Sequence, residues 1–242
     1  MTVGGASAEV IRRVEGPVGR LTLNRPKAIN ALTHEMVLAM TDALAEWARD
    51  DAVTCVVVDG AGERGLCAGG DLRGFYNDAR TGGTGSLDFW ADEYRLNAYI
   101  ARYPKPYVAL MDGVVMGGGV GISAHGSVRV VTERSKVGMP ETGIGFVPDV
   151  GGTWLLSHLP GETGTHLALT GSPLSGADAV AVGLADHLVP AERLTKLVDA
   201  LVAGAAPADA AAALAVPATG GVLDSWRGWI DACYREDTVA EI

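Results

Sequence analysis

No uninterrupted apolar stretch in these 242 residues approaches the roughly 20 needed to cross a bilayer. The opening residues lack a basic region followed by an apolar run, so neither a signal peptide nor a membrane span is expected. Cysteine is scarce: Cys55, Cys67 and Cys233 are odd in number, far apart, and form no Cys-x-x-Cys or zinc spacing. Reduced thiols in a cytoplasmic protein are the expectation. Positive charge is in deficit, with 19 Lys and Arg against 29 Asp and Glu and a net charge of −10. That balance argues against nonspecific nucleic-acid binding, although a few local cations can still hold an anionic small molecule. Two hydrolase signatures are also missing. There is no Gly-x-Ser-x-Gly elbow, and His34-Glu35 is followed by Leu38 where a zinc-binding His-Glu-x-x-His needs its second histidine. Ser123 and His125 share one segment but fall on different helix faces, which speaks against a serine triad.

What is present is glycine, 33 residues of it, concentrated in two turns that each end an apolar strand. They are Cys67-Ala68-Gly69-Gly70-Asp71 and Met116-Gly117-Gly118-Gly119-Val120-Gly121. Without a side chain, glycine lets backbone N–H groups approach a ligand closely. Three consecutive glycines at a helix start cost on the order of 1 kcal/mol each in backbone entropy, which favours a functional reason for them. Their N–H groups, reinforced by the helix dipole, suit a partly negative oxygen. Two acids follow, Glu141 and Asp149, in Met-Pro-Glu-Thr-Gly-Ile-Gly-Phe-Val-Pro-Asp-Val-Gly-Gly. Either alone reads equally well as a helix cap or a solvated loop charge. Together, behind two glycine turns, they point to chemistry on a carbonyl. Gly119-x-Gly121-x-x-Ala124 formally matches a dinucleotide fingerprint. Such motifs usually begin their domain and this one lies deep in the chain, so nicotinamide binding is not expected.

The length suits one large α/β domain. Residues 9–14 and 18–23 read as a hairpin about Gly16-Pro17. Thr33 caps a helix whose apolar face is Met36, Met40, Leu44 and Trp47. Residues 54–59, 106–115 and 128–132 read as buried strands. Residues 77–86 read as a loose polar surface segment before a helix to about 102, and the triple glycine opens a helix to about 125. Helices follow at about 152–159, 161–170, 175–183 and 190–204, with a short strand at 186–189. This alternation predicts a parallel sheet wrapped by helices. Residues 203–218 resemble a linker or weakly packed helix, and 226–234 carry helical spacing. Thr238-Val239-Ala240-Glu241 matches a capping box, so a further helix is expected to begin where the sequence stops.

Four motifs in combination now carry a resemblance: Asn24-Arg25-Pro26-Lys27-x-x-Asn30-Ala31-Leu32, the Cys67 to Asp71 turn, Met116-Gly117-Gly118-Gly119, and Met139-Pro140-Glu141. They resemble the enoyl-CoA hydratase/isomerase (crotonase) superfamily over residues 10–189. Residues 92–97, 105–110, 139–152 and 229–242 are similar to its branch that hydrolyses short-chain hydroxyacyl-CoA thioesters of the 3-hydroxyisobutyryl type. The resemblance implies a crotonase-like ββα spiral core over 1–190 and a C-terminal helical segment over 191–242, incomplete relative to the family. It implies an acyl-CoA substrate, no metal and no cofactor apart from the coenzyme A of the substrate, and it is compatible with a homo-oligomer. By the family pattern, the amides of Gly70 and Gly118 form an oxyanion hole and backbone around Ala68 contacts the adenine. Arg25 and Lys27 fall near the CoA phosphates, and Glu93, Gly118, Glu141 and Asp149 fall at substrate and catalytic positions. Hydratases of the superfamily use two glutamates. The second matches Glu141, but the first falls at Gly121, whereas the hydrolase pattern supplies an acid at 149. The expectation is therefore thioester hydrolysis by Glu141 and Asp149. Hydratase or isomerase action with Glu141 alone is the alternative, and a weakly catalytic CoA-binding protein is a third reading.

Overall fold

The computed structural model describes residues 8–242. The first seven residues, part of the stretch behind the signal-peptide expectation, lie outside the described residues. The chain opens with an antiparallel hairpin of β1 (Val10–Glu15) and β2 (Val18–Leu23). Helix α1 (His34–Trp47) follows, with the Thr33 hydroxyl accepting the Met36 N–H. Met36, Met40, Leu44 and Trp47 are all buried, as their spacing predicts. Strand β3 (Cys55–Gly60) leads to α2 (Leu72–Thr81), α3 (Gly85–Ile100) and β4 (Tyr107–Met111). Next come β5 (Val114–Met116), α4 (Gly118–Gly121), β6 (Val128–Val131) and β7 (Lys136–Gly138). The remainder is α5 (Gly152–Ser157), α6 (Thr163–Thr170), β8 (Leu174–Ser175), α7 (Gly176–Ala181), β9 (His187–Leu188), α8 (Leu194–Val202), α9 (Pro207–Leu214) and α10 (Leu223–Cys233).

Six strands form one sheet in the order β1-β2-β3-β4-β6-β9, parallel from β2 onward. Alternation along its strands divides two cores. Val56, Val58, Ala109 and Met111 face α1 and α3 on one side. Cys55, Val57, Val108 and Leu110 face Leu197, Leu201 and Ala211 of α8 and α9 on the other. Both faces are covered, so residues 55–58 of β3 and all of β4 are buried and carry no charge. The fold is α/β, as the alternation of strands and helices predicts.

Four expectations need correction. The strand expected over 106–115 is two strands. Gly113, at φ +62, turns the chain so that β5 leaves the main sheet and joins the second sheet, of order β5-β7-β8. The loose segment expected over 77–86 is mostly helical: 77–81 end α2 and 85–86 open α3. Asp71 caps α2 through the amides of Arg73 and Gly74, and left-handed Gly82 ends it. The glycine-rich helix stops at Gly121 and continues to residue 125 only as turns. Thr238 and Glu241 do bond to one another, at 2.6 Å between Oγ1 and Oε2, but within an isolated turn rather than a helix. Among the described residues no helix is long and apolar enough to cross a membrane.

Candidate active site

The two glycine turns lie side by side because β5 runs alongside the first of them. Cys67 N–H donates to Val114 O at 3.1 Å and Met116 N–H donates to Cys67 O at 2.9 Å. The first turn is pinned on its other flank as well, by Leu32 N–H to Gly69 O at 2.8 Å and Asp71 N–H to Leu32 O at 2.9 Å. Gly117 N–H donates to Gly138 O at 3.0 Å. Between these anchored groups, the amides of Gly70 and Gly118 have no hydrogen-bond acceptor among the described residues. A Cβ placed on Gly118 would stand 3.5 Å from Gly70 N and 2.5 Å from Glu93 Oε1. Two unpaired amides and a carboxyl therefore meet at one point where neither turn has room for a side chain. Gly118 is buried and Gly70 half-buried, and amides left unpaired there suit a partly negative oxygen.

Three acids enter the cleft beside these amides from three elements. Glu93 projects from α3, Glu141 begins the 3-10 turn Glu141–Ile144, and Asp149 lies in the turn before α5. All three line one cleft of about 290 Å³ together with Ala68, Gly70, Gly118, Phe75, Phe89, Trp90 and Phe146. Its walls are apolar, and Trp90 stacks on Phe146 with centroids 5.6 Å apart. Glu93 and Glu141 are only 2% and 7% exposed, and each has one buried carboxylate oxygen without a partner. Burial pushes the Glu93 carboxyl up to about 8, with the Asp149 and Glu141 charges adding to it. Burial likewise pushes Glu141 up to about 7, with Asp149 contributing. Asp149 is also raised by burial, against a hydrogen bond from Tyr94 that favours its charged form. Three carboxyls this close cannot all ionise near neutrality.

Two participants escape sequence reasoning. Tyr94 OH donates to Asp149 Oδ2 at 2.8 Å, a contact spanning 55 positions. Asn97, one turn after Glu93 on α3, is buried with both side-chain polar atoms unpartnered. Both belong to the stretch singled out at 92–97, but nothing local signals where their polar atoms point. Arg25 departs from its expected role. Its guanidinium is engaged with Asp71 Oδ2 at 2.8 Å, Glu9 Oε1 at 3.1 Å and Ala31 O at 2.5 Å. It braces the first glycine turn and is not free for a phosphate. Lys27 is exposed, and Ala68 lines the cleft with its N–H held by Ile29 O at 2.9 Å. Ser123 and His125 form no dyad: Ser123 Oγ donates to Gly119 O, and His125 Nε2 lies 2.8 Å from Val150 O. At Gly121, where a second glutamate is expected of a hydratase, a Cβ would stand 2.6 Å from Val150 Cβ and 2.9 Å from Asn97 Nδ2.

Paired backbone amides thus stand beside buried acids at the edge of a small second sheet. The family model for enoyl-CoA hydratase/isomerase matches residues 18–242, and the chain belongs to that family. Curated relatives include the mitochondrial 3-hydroxyisobutyryl-CoA hydrolase of Danio rerio, 47% identical over 81% of this chain and 52% of its own length. The Rattus norvegicus protein of the same name is 45% identical over 98% of this chain and 64% of its length. The chain thus spans 52–64% of these relatives. Among solved structures, a carnitinyl-CoA dehydratase from Mycobacterium thermoresistibile superimposes with a TM-score of 0.93 at 57% identity, covering 97% of this chain and 69% of that one. An enoyl-CoA hydratase from Rhodobacter sphaeroides gives 0.90 at 42% identity, covering 97% and 68%. These neighbours share the crotonase fold, so the fold expected from the motifs holds.

Proposed function

We propose that this chain hydrolyses a short-chain hydroxyacyl-CoA thioester of the 3-hydroxyisobutyryl type. The observation that carries the reading is the meeting of the unpaired Gly70 and Gly118 amides with Glu141 and Asp149 in one apolar cleft. The thioester oxygen would accept from both amides, each worth about 3–4 kcal/mol of transition-state stabilisation in comparable sites. Ionised Glu141 then attacks the carbonyl carbon to give a mixed anhydride, or takes a proton from an attacking water. In either route the C–S bond breaks and the sulfur leaves as the CoA thiol after gaining a proton. Water attacks the thioester carbonyl directly in one route and cleaves the anhydride in the other, regenerating Glu141. Asp149, held by Tyr94, orients the water or the acyl hydroxyl, with neutral Glu93 at the acyl end. Water is the only co-reactant this chemistry consumes.

The names of the curated relatives support hydrolysis, whereas those of the solved neighbours support hydration or dehydration. The crowding around Gly121 favours the first, because it leaves no room for a second glutamate. The test is thiol release from 3-hydroxyisobutyryl-CoA alongside loss of conjugated-thioester absorbance with crotonyl-CoA. Thiol release that Glu141→Gln lowers by about 10²–10⁴ is expected. Crotonyl-CoA turnover without thiol release would overturn the reading in favour of a hydratase. Tight CoA binding with neither activity would leave a binding protein.

A further inference from the structure

The turn that presents Asp149 is strained at the next residue. Val150 has φ +46 and Gly151 has φ +78, and Gly152 N–H donates back to Asp149 O at 2.5 Å. Positive φ at both central positions marks a type I′ turn, which favours Asn, Asp or Gly at the first of them. A β-branched residue in the left-handed region is an outlier, and persists only where its surroundings over-determine it. Val150 is 2% exposed, so those surroundings are protein.

Two residues of the segment that opens with Gly118 supply the constraint. His125 Nε2 lies 2.8 Å from Val150 O. A carbonyl only accepts, so that nitrogen carries the proton and donates. The same ring lies against Gly151, where a Cβ would come within 2.7 Å of Nε2. Four residues before His125, Gly121 offers a bare Cα to the Val150 side chain, since a Cβ there would stand 2.6 Å from Val150 Cβ. The valine is thus gripped at its carbonyl by His125 and given space at its side chain by Gly121.

We propose that His125 is a positioning residue, whose hydrogen bond to the Val150 carbonyl, together with the bare Gly121, holds the left-handed turn that sets the Asp149 carboxylate against Tyr94 and into the cleft. One short segment then carries an amide of the carbonyl-binding pair at its start and the support for an acid at its end. The bare position 121 and the acid at 149 become two ends of one mechanical unit. The kinetic part of this inference rests on the hydrolase reading, but its structural part does not.

The experiment compares His125→Leu, which loses the donor, with His125→Gln, which keeps an N–H, each alone and with Asp149→Asn. Crystal structures should show Val150 leaving positive φ and the Tyr94–Asp149 bond opening in His125→Leu, but both kept in His125→Gln. In kinetics, His125→Leu should lower kcat about 10–100-fold with KM little changed, His125→Gln should restore most of it, and His125→Leu should add nothing in the Asp149→Asn background. An unchanged turn in His125→Leu, or losses that multiply in the double variant, would overturn the proposal. Should His125→Leu fail to fold, Val150→Asn provides the second route, because Asn tolerates the left-handed region. In that background His125→Leu should fold and cost less than about threefold in kcat, and a full-sized loss there would also overturn the proposal. If the wild type releases no thiol, the hydrolase reading fails by itself and the crystallographic comparison alone decides the role of His125.

Discussion

At the scale of single residues, the site depends on atoms that are absent as much as on those present. Gly118→Ala would drive a methyl against Glu93 Oε1 and into the space beside Gly70 N. The expected result is a loss of about 10²–10³ in kcat, measured by thiol release. The ionisation of Glu141 sets a second expectation. Its carboxyl, pushed up to about 7, must be charged to attack or to accept a proton. The kcat/KM profile should therefore rise with pH through about 7 rather than near the ordinary carboxylate range, and a profile flat from pH 5 to 8 would contradict that role. Much of the candidate site is legible in the sequence because glycine runs and proline-flanked acids are local signals. Tyr94, Asn97 and the Arg25–Asp71 pair are not legible, because their polar atoms find partners 46 to 55 positions away or find none among the described residues.

At the scale of elements, α1 and α2 are opposites. Helix α1 buries six side chains and is capped by Thr33, whereas α2 buries none fully and is held by half-buried Phe75 against Phe89 and Trp90, the Asp71 cap and the Asp71–Arg25 ion pair. Hydrogen exchange followed by mass spectrometry should therefore show α2 amides opening far faster than those of α1. Thr33→Ala should cost about 1 kcal/mol in denaturant unfolding, since Met36 N–H loses its acceptor. The same contrast explains what sequence reading caught. Helix α1 announces itself through apolar spacing and a cap. Helix α2 packs on the core chiefly through half-buried Phe75, and its polar second half, from 77 onward, reads as loop. The second sheet escaped because β7 and β8 are three and two residues long, and because Gly113 hides a change of sheet inside one apolar run.

At the scale of the whole molecule, stability and catalysis pull on the same carboxyls. Glu93 and Glu141 bind protons more tightly when folded than the 4.5 usual for glutamate. The native state therefore holds extra protons between about pH 4.5 and 8, and its stability falls as pH rises through that window. Asp71 and Asp186, lowered by their arginine partners, act in the opposite sense and lose their contribution only in acid. The melting temperature should be highest near pH 5 and decline toward pH 8, and Glu93→Gln should flatten that decline and raise the melting temperature at pH 8. A melting temperature that climbs from pH 5 to 8 would show that the two glutamates stay ionised. A single exchange of Gly121 to glutamate would collide with Val150 and Asn97. Admitting a glutamate at 121 thus requires Val150 and Asn97 to shift or change with it, so that position is tied to the turn that carries Asp149.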